Sequence, residues 1–410
     1  MRTVERESSY RDIYEQILSC APRLIYAAGL PVTMEEAPPG VHVESCVNEK
    51  AAYEMALAGA IAHKRTACLF SVDGVYDTLD PLMSSAYTGV KGGFVVVCMK
   101  EGALDVTPLG PFSKLPVLVS DGTADDLASA LSFAFDLSER HEMPCLVETL
   151  PPKGPLSGAV WKAPKGSSNF VKDQDRWAAI PRFRYQLHKA LNEKIEWIRE
   201  EFDAYTGNVQ ALKGPLGIIT HRACTNELPE DASRLVLGSV FPLPARLVSS
   251  FIEGREEVRI VEGDYPAIEV QVRKRDRVDG RLRRVEPADP PAAIPEGREN
   301  LFGFVVVRDR LGPASAINMA HGMARGGSKK ILAVTDIDAF LHSGLPAFVN
   351  TLYNGSEYLL AIRTKGRSEE LTRIFLGFGF QRFFHLASAG DLSRYGNESQ
   401  LTVLFYEGEL

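Results

Sequence analysis

The chain has 410 residues, 45% of them hydrophobic and 24% charged, the make-up of an ordinary globular protein long enough for two or three domains. A formal net charge of −7 argues against nucleic acid as a general partner. No apolar run reaches the ~20 residues that span a membrane, and the charged start Met-Arg-Thr-Val-Glu-Arg-Glu has no signal-peptide core, so a cytoplasmic protein is expected.

Residues 9–20 place Tyr10, Ile13, Ile17 and Leu18 on one helical face. Leu24–Ala28 reads as a short strand and Gly29-Leu30-Pro31 as a turn. The alternating stretch 41–47 reads as a strand that leads into a helix at Asn48. Apolar strands follow at 67–71, 94–98, 115–119 and 144–148, separated by helical stretches that include 80–89 and 124–139. This alternation predicts parallel sheets covered on both faces. Residues 151–169 are rich in Pro, Gly, Ser and Lys and read as a loop. Leu187, Leu191, Ile195, Ile198 and Phe202 then recur at helical spacing, as in an amphipathic linking helix.

Further strands are expected at 216–220, 235–240 and 258–262, with Phe241-Pro-Leu-Pro244 opening a helix between the last two. The basic run 273–284 reads as a solvated helix end and loop, and 287–297 as an extended linker. A last unit begins with a strand at 301–307 and a helix at 313–325, on which His321 reads as a packed residue. The apolar strand Ile331–Thr335 ends at Asp336 and Asp338, where open α/β sheets place their ligands. Ser343 is the expected N-cap of a helix carrying Leu345, Phe348, Val349 and Leu352, followed by a strand at 357–362.

Four segments occur in order: Asn48–Glu54 (Asn-Glu-Lys-Ala-Ala-Tyr-Glu), Asp80–Gly93, Met319–Ala324 (Met-Ala-His-Gly-Met-Ala), and His342–Asn354 (His-Ser-Gly-Leu-Pro-Ala-Phe-Val-Asn-Thr-Leu-Tyr-Asn). Together they resemble the alpha subunit of indolepyruvate:ferredoxin oxidoreductase, of the thiamine-diphosphate-dependent 2-oxoacid oxidoreductases. The resemblance implies an α/β fold of three doubly wound, mainly parallel-sheet units. They are a pyrimidine-binding-like domain (1–155), a transketolase C-terminal-like domain (213–285) and a truncated thiamine-diphosphate-binding-like domain (297–410). Between them lie a linker with the amphipathic helix (156–212) and a Pro-rich linker (286–296). It also implies a homodimer, or a hetero-oligomer with a smaller oxidoreductase-type subunit.

By resemblance, Glu49 is the catalytic glutamate that bonds N1′ of the thiamine aminopyrimidine, and Gly29 lies near the cofactor. Without the resemblance, Glu49 reads as a first-turn glutamate serving the helix dipole. Asp336 and Asp338 fall near the family's Mg²⁺-binding aspartate. Aligned without gaps on His342-Ser343-Gly344, Ile337 takes that position, and a one-residue insertion restores Asp336 to it. The family's second ligand comes from Asp-Asn. Thr364-Lys365 stands there instead, and an ammonium group cannot ligate Mg²⁺.

Other departures fall at cofactor-contacting places. Leu30 replaces a hydroxyl residue, the 101–109 loop lacks the family's amides, and a Cys-Pro-Gly-Cys segment is missing after the linker. Cys20, Cys46, Cys68, Cys98, Cys145 and Cys224 have no cluster spacing, so no iron–sulfur cluster is expected on this chain, nor is the family's ferredoxin-like domain met by Leu410. The pattern favours a degenerate thiamine-diphosphate site in an assembly or regulatory subunit, with thiamine diphosphate and Mg²⁺ doubtful. The alternatives are an active subunit passing electrons to iron–sulfur clusters on a partner chain, and a metal-free module binding an anionic ligand through Lys365 and Arg363.

Overall fold

The computed structural model describes residues 3–31, 37–153, 170–177, 181–224, 228–273, 276–280, 300–301, 303–395, 398 and 400–410. The chain divides into two compact units, Met1–Glu286 and Pro287–Leu410. The described residues form three sheets, two in the first unit and one in the second. Residues 154–169 of the expected loop and the linker at 287–297 lie outside the described residues, as do 274–275 and 281–284 of the basic run.

The first sheet is built from β1 (Leu24–Ala27), β2 (His42–Ser45), β3 (Thr66–Ser71), β4 (Phe94–Met99), β5 (Val117–Ser120) and β6 (Cys145–Thr149). The middle sheet takes β7 (Val209–Ala211), β8 (Leu216–His221), β9 (Ser233–Leu237), β11 (Glu257–Ile260) and β12 (Val278–Asp279), while β10 (Ser239–Phe241) crosses to the first sheet. The first sheet's order is β10-β5-β6-β4-β3-β1-β2, parallel except where β10 meets β5. Val95, Val96, Val97, Leu118, Val119, Leu146 and Val147 are all fully or almost fully buried. Strands buried on both faces read as continuous apolar runs, which is why alternation is absent here.

The single strand expected at 235–240 is therefore two. The chain turns sharply at Gly238, where the Asn208 side chain accepts from the amides of Gly238 (2.8 Å) and Ser239 (3.1 Å) and donates to the carbonyl of Phe202 (2.8 Å). These bonds satisfy backbone groups that the break would leave orphaned. A side chain six positions beyond the end of the helix Pro181–Phe202 decides this, and strand periodicity carries no sign of it.

The second unit holds β13 (Asn300–Leu301), β14 (Phe304–Arg308), β15 (Ile331–Asp336), β16 (Leu359–Arg363), β17 (Phe383–His385) and β18 (Thr402–Tyr406), in the order β13-β14-β15-β16-β18-β17. The expected strand at 301–307 is a hairpin, because Gly303 at φ +85° turns the chain between β13 and β14. Side chains alternate between two cores. Val307, Ile331, Ala333, Leu360, Ile362, Val403 and Phe405 face one, with Phe340, Phe348 and Phe375 from the helices over them. Val306, Leu332, Val334, Ala361, Leu404 and Tyr406 face the other, under Leu392. Each fully buried phenylalanine stabilises the unit by about 1.5–3 kcal/mol. All-parallel sheets do not hold throughout: β10–β5, β7–β9 and β13–β14 are antiparallel, each involving an edge strand.

Candidate functional site

Glu49 sits at the carboxyl edge of the first sheet. From β1 the chain passes to β2 on one side and then crosses to β3 on the other. In open α/β sheets such a reversal opens a crevice beyond the strand ends. Glu49 begins the helix Glu49–Ile61, whose N-cap Asn48 accepts from the Ala51 amide at 2.8 Å. The helix lies over β1 and β3. Its buried side carries Ala52, Ala56 and Ala60, all fully buried, together with Tyr53, which packs on Phe94 of β4.

The Glu49 side chain is only 3% exposed. Two glycines make room for it. A Cβ on Gly29, in the turn after β1, would lie 2.1 Å from Glu49 Oε1. A Cβ on Gly74, in the short helix Val72–Tyr76 after β3, would lie 2.8 Å from the same oxygen. Gly29 also holds φ +64°, the left-handed region. Gly29 and Glu49, both assigned by resemblance, are thus brought together. Gly74 was not anticipated, since Val-Asp-Gly-Val carries no signal beyond a lone glycine at a strand end.

The second group lies within the second unit. Asp336 ends β15, and its carboxylate caps the following turn by accepting from the Ala339 amide at 3.0 Å. This corrects the expected cap at Ser343. The chain is helical from Ile337 to Asn354 without interruption, passing through a π turn at Phe340–Gly344. Asp336 starts the helix seven residues earlier than Ser343 would. The π turn shifts the hydrogen-bond register just before Pro346, which has no N–H to give. Ser343 instead bonds the His342 ring at 2.6 Å.

Lys365 reaches back from the loop after β16, at φ +50°. Its ammonium lies 2.9 Å from Asp336 Oδ2 and 2.7 Å from Asp338 Oδ2. Arg363 adds a contact to Asp336 at 3.5 Å, and Arg367 one to Asp338 at 2.9 Å and another to Glu370 at 2.9 Å. Three acids therefore face three bases. Partial burial pushes the Asp336 carboxyl up, but the Ala339 amide and the Lys365 ammonium outweigh it, and the net shift is downward. Burial lowers Lys365, yet its bonds to Asp338 and Asp336 hold it above the ordinary range. Asp336, Asp338 and Lys365 are thus one ion-paired lattice. The sequence points to Arg363 as an anion contact and carries no sign of the part played by Arg367.

A cavity of about 410 Å³ opens beside it, at the carboxyl ends of β14, β15, β16 and β18. Arg308, Asp309, Asp336, Arg363, Tyr406 and Glu409 line it. Asp309 is held by Thr335 (2.6 Å) and the Ala316 amide (2.9 Å), and its burial raises it above the usual carboxylate range.

A divalent cation does not fit the lattice as it stands. Mg²⁺ demands oxygen ligands in near-octahedral array, and both carboxylates already hold an ammonium. A +2 centre ~4 Å from Lys365 would be repelled by up to about 8 kcal/mol at an effective dielectric near 20.

No family model matches the chain. It is similar to the indolepyruvate oxidoreductase subunit IorA of Pyrococcus abyssi, 24% identical over 438 residues, covering 79% of this chain and 67% of that one. The Archaeoglobus fulgidus IorA is 26% identical and covers 78% of this chain and 66% of its own. The chain thus spans about two thirds of the length of the curated relatives it matches. Similar solved structures include a 2-oxoglutarate:ferredoxin oxidoreductase from Magnetococcus marinus, with TM-score 0.48, 13% identity, and 67% of this chain and 61% of that one covered. Another is a split-gene transketolase described as an inactive beta4 tetramer, with TM-score 0.45, 12% identity, and 66% and 87% covered. The resemblance to the indolepyruvate oxidoreductase IorA subunits thus extends over most of the chain.

Proposed function

We propose that this chain is an IorA-like subunit that has kept the scaffold, closed its Mg²⁺ and diphosphate edge by internal ion pairing, and serves in assembly or regulation. The Lys365 ammonium, within 2.9 Å of both carboxylates nearest the expected metal position, carries this reading. In this reading the edge supplies its own cation and binds no metal. The relatives are named as oxidoreductase subunits, which supports a place in a multi-subunit assembly; in this reading the chain is cytoplasmic, as a homodimer or a hetero-oligomer with a smaller subunit. Iron–sulfur chemistry is then the work of another chain.

A second reading has its own support. Glu49 is buried and closely fitted between Gly29 and Gly74, as an active thiamine-diphosphate-dependent 2-oxoacid:ferredoxin oxidoreductase subunit would need. The cavity bordered by Arg308 and Arg363 supports a third, the binding of a metal-free anion.

Calorimetry with thiamine diphosphate and Mg²⁺, with and without EDTA, separates the three. The wild type is expected to show no Mg²⁺-dependent binding. Lys365→Asn tests the lattice without adding backbone strain, because asparagine tolerates the left-handed region. Tight wild-type binding that EDTA abolishes overturns the proposal in favour of the active enzyme. Binding indifferent to EDTA overturns it in favour of the anion module.

A further inference from the structure

A second buried polar group lies in the first unit, where the carboxyl ends of two sheets converge. Lys100 follows β4, Glu148 is in β6, His221 ends β8, and Glu262 follows β11. Glu148 is fully buried in β6, directly after the apolar Cys145, Leu146 and Val147. Its Oε2 accepts from the Val106 amide at 2.7 Å, while its Oε1 has no partner. Asp105 is 2% exposed, pairs with Lys100 at 3.3 Å, and accepts from the amide (3.1 Å) and hydroxyl (2.5 Å) of Thr107. His221 is buried with neither ring nitrogen bonded. Orphaned buried polar atoms are rare and call for a physical explanation.

The group is connected to Glu49. The Tyr76 hydroxyl donates to the Asp105 carbonyl at 2.9 Å. Tyr76 ends the helix Val72–Tyr76, which carries Gly74, where a Cβ would meet the Glu49 carboxylate at 2.8 Å. Glu148 therefore holds Val106, the neighbouring Asp105 carbonyl holds Tyr76, and the Tyr76 helix walls the Glu49 pocket.

We propose that Glu148 and its buried neighbours form a proton-operated latch, which keeps residues 100–107 closed and, through Tyr76, the helix Val72–Tyr76 seated against Glu49. The latch stands whether or not thiamine diphosphate binds. With a proton on Glu148, the carboxyl is neutral and tolerates burial. Without it, a second buried negative charge forms beside Asp105, and opening that hydrates the group becomes favourable.

The charged and titratable groups around Glu148 agree with this. Burial, and then the Asp105 charge, push Glu148 up to about 8, against a smaller opposing pull from Lys100 and the Val106 amide. From β8, burial lowers His221 to about 4, so it stays neutral and adds no compensating charge. After β11, burial pushes Glu262 up to about 7, partly opposed by the Ile268 and Glu269 amides. Cys98 on β4 is raised well above its ordinary range by burial. Burial and Asp105 hold Tyr76, which also feels Tyr265, up to about 12, so Tyr76 remains a donor throughout. Lys100 is thus a cation shared by the two acids, paired with Asp105 and opposing the upward push on Glu148.

Amide hydrogen exchange of the full chain between pH 6.5 and 9, expressed as protection factors, tests the latch. For a group titrating near 8, protection at 100–107 is expected to fall about tenfold between pH 7 and 9. Residues 72–76 should follow. Glu148→Gln, which keeps the acceptor for Val106, should flatten both profiles. Tyr76→Phe should retain the fall at 100–107 and uncouple 72–76 from it. A flat wild-type profile, or an unchanged fall in Glu148→Gln, overturns the proposal. Should Glu148→Gln not fold, the wild type still decides. Its fall must level off at the pH where the Glu148 carboxyl resonance titrates in ¹³C-glutamate-labelled protein, and a plateau that begins more than a unit away overturns the latch.

Discussion

The Glu49 pocket and the Asp336–Lys365 edge both stand at the carboxyl ends of parallel strands, and they treat charge in opposite ways. Glu49 is 3% exposed and fitted between two glycines whose missing side chains make its space. The Asp336 and Lys365 side chains are 27% and 38% exposed and neutralise each other. Shape defines the first, and pairing defines the second. Shape of this kind is intolerant of a single carbon atom. Ion pairs near solvent can be exchanged for others at little expense in stability. A single substitution is therefore expected to destabilise the Glu49 pocket more than the Asp336–Lys365 lattice.

The largest expected effect follows from Gly29→Ala. The new Cβ would lie 2.1 Å from Glu49 Oε1, at φ +64°. Left-handed strain of about 1–2 kcal/mol adds to overpacking of about 1–3 kcal/mol. Urea denaturation should therefore show a loss of roughly 2–5 kcal/mol. A loss below ~0.5 kcal/mol, the level of an ordinary surface change, would mean that Glu49 moves aside freely and that the pocket is not shaped around it.

Next in size is the pH dependence of stability. Glu148 and Glu262 are raised to about 8 and about 7 in the folded chain. The folded state then holds protons that the unfolded chain releases above the ordinary carboxylate range. Stability falls as pH rises from there to about 7–8, by at most ~1.4 kcal/mol per pH unit for each group. His221, lowered to about 4, acts in the other direction, and its contribution is lost as pH falls from its ordinary value through about 4. Denaturant midpoints should peak between about pH 5 and 6.5 and decline towards pH 8. Glu148→Gln should move the peak upward. A peak above pH 8 in the wild type would show that these carboxyls are hydrated in the fold.

How much of this was legible in the sequence follows from the same contrast. Apolar strands and alternating helices are local signals, and they placed the three sheets and the Asp336 strand end. Glu49 and Gly29 were found through resemblance, and geometry alone makes them neighbours. The switch of Ser239–Phe241 to the first sheet depends on Asn208, some thirty residues earlier, so no local pattern reveals it. The buried group of Asp105, Glu148 and His221 had one signal, a glutamate inside the apolar run Cys-Leu-Val-Glu-Thr. An acid at such a place is either paired or protonated, and sequence does not say which.

The smallest expected effect is Lys365→Met. The substitution leaves the left-handed backbone strain as it is, since methionine and lysine meet the same Cβ penalty at φ +50°. It removes only the ammonium, and Arg363 and Arg367 remain beside Asp336 and Asp338. Exposed ion pairs contribute about 0.2–1 kcal/mol, so the loss should stay below ~1 kcal/mol at low salt and shrink at high salt as screening grows. The Asp336 carboxyl is held down partly by Lys365, so its titration should move back upward in the variant, and stability should begin to fail at a higher pH on acidification. A salt-independent loss of ~3 kcal/mol or more is the size expected for a broken buried pair. That result would place Lys365 among structural residues and remove the distinction between a packed edge and a paired one.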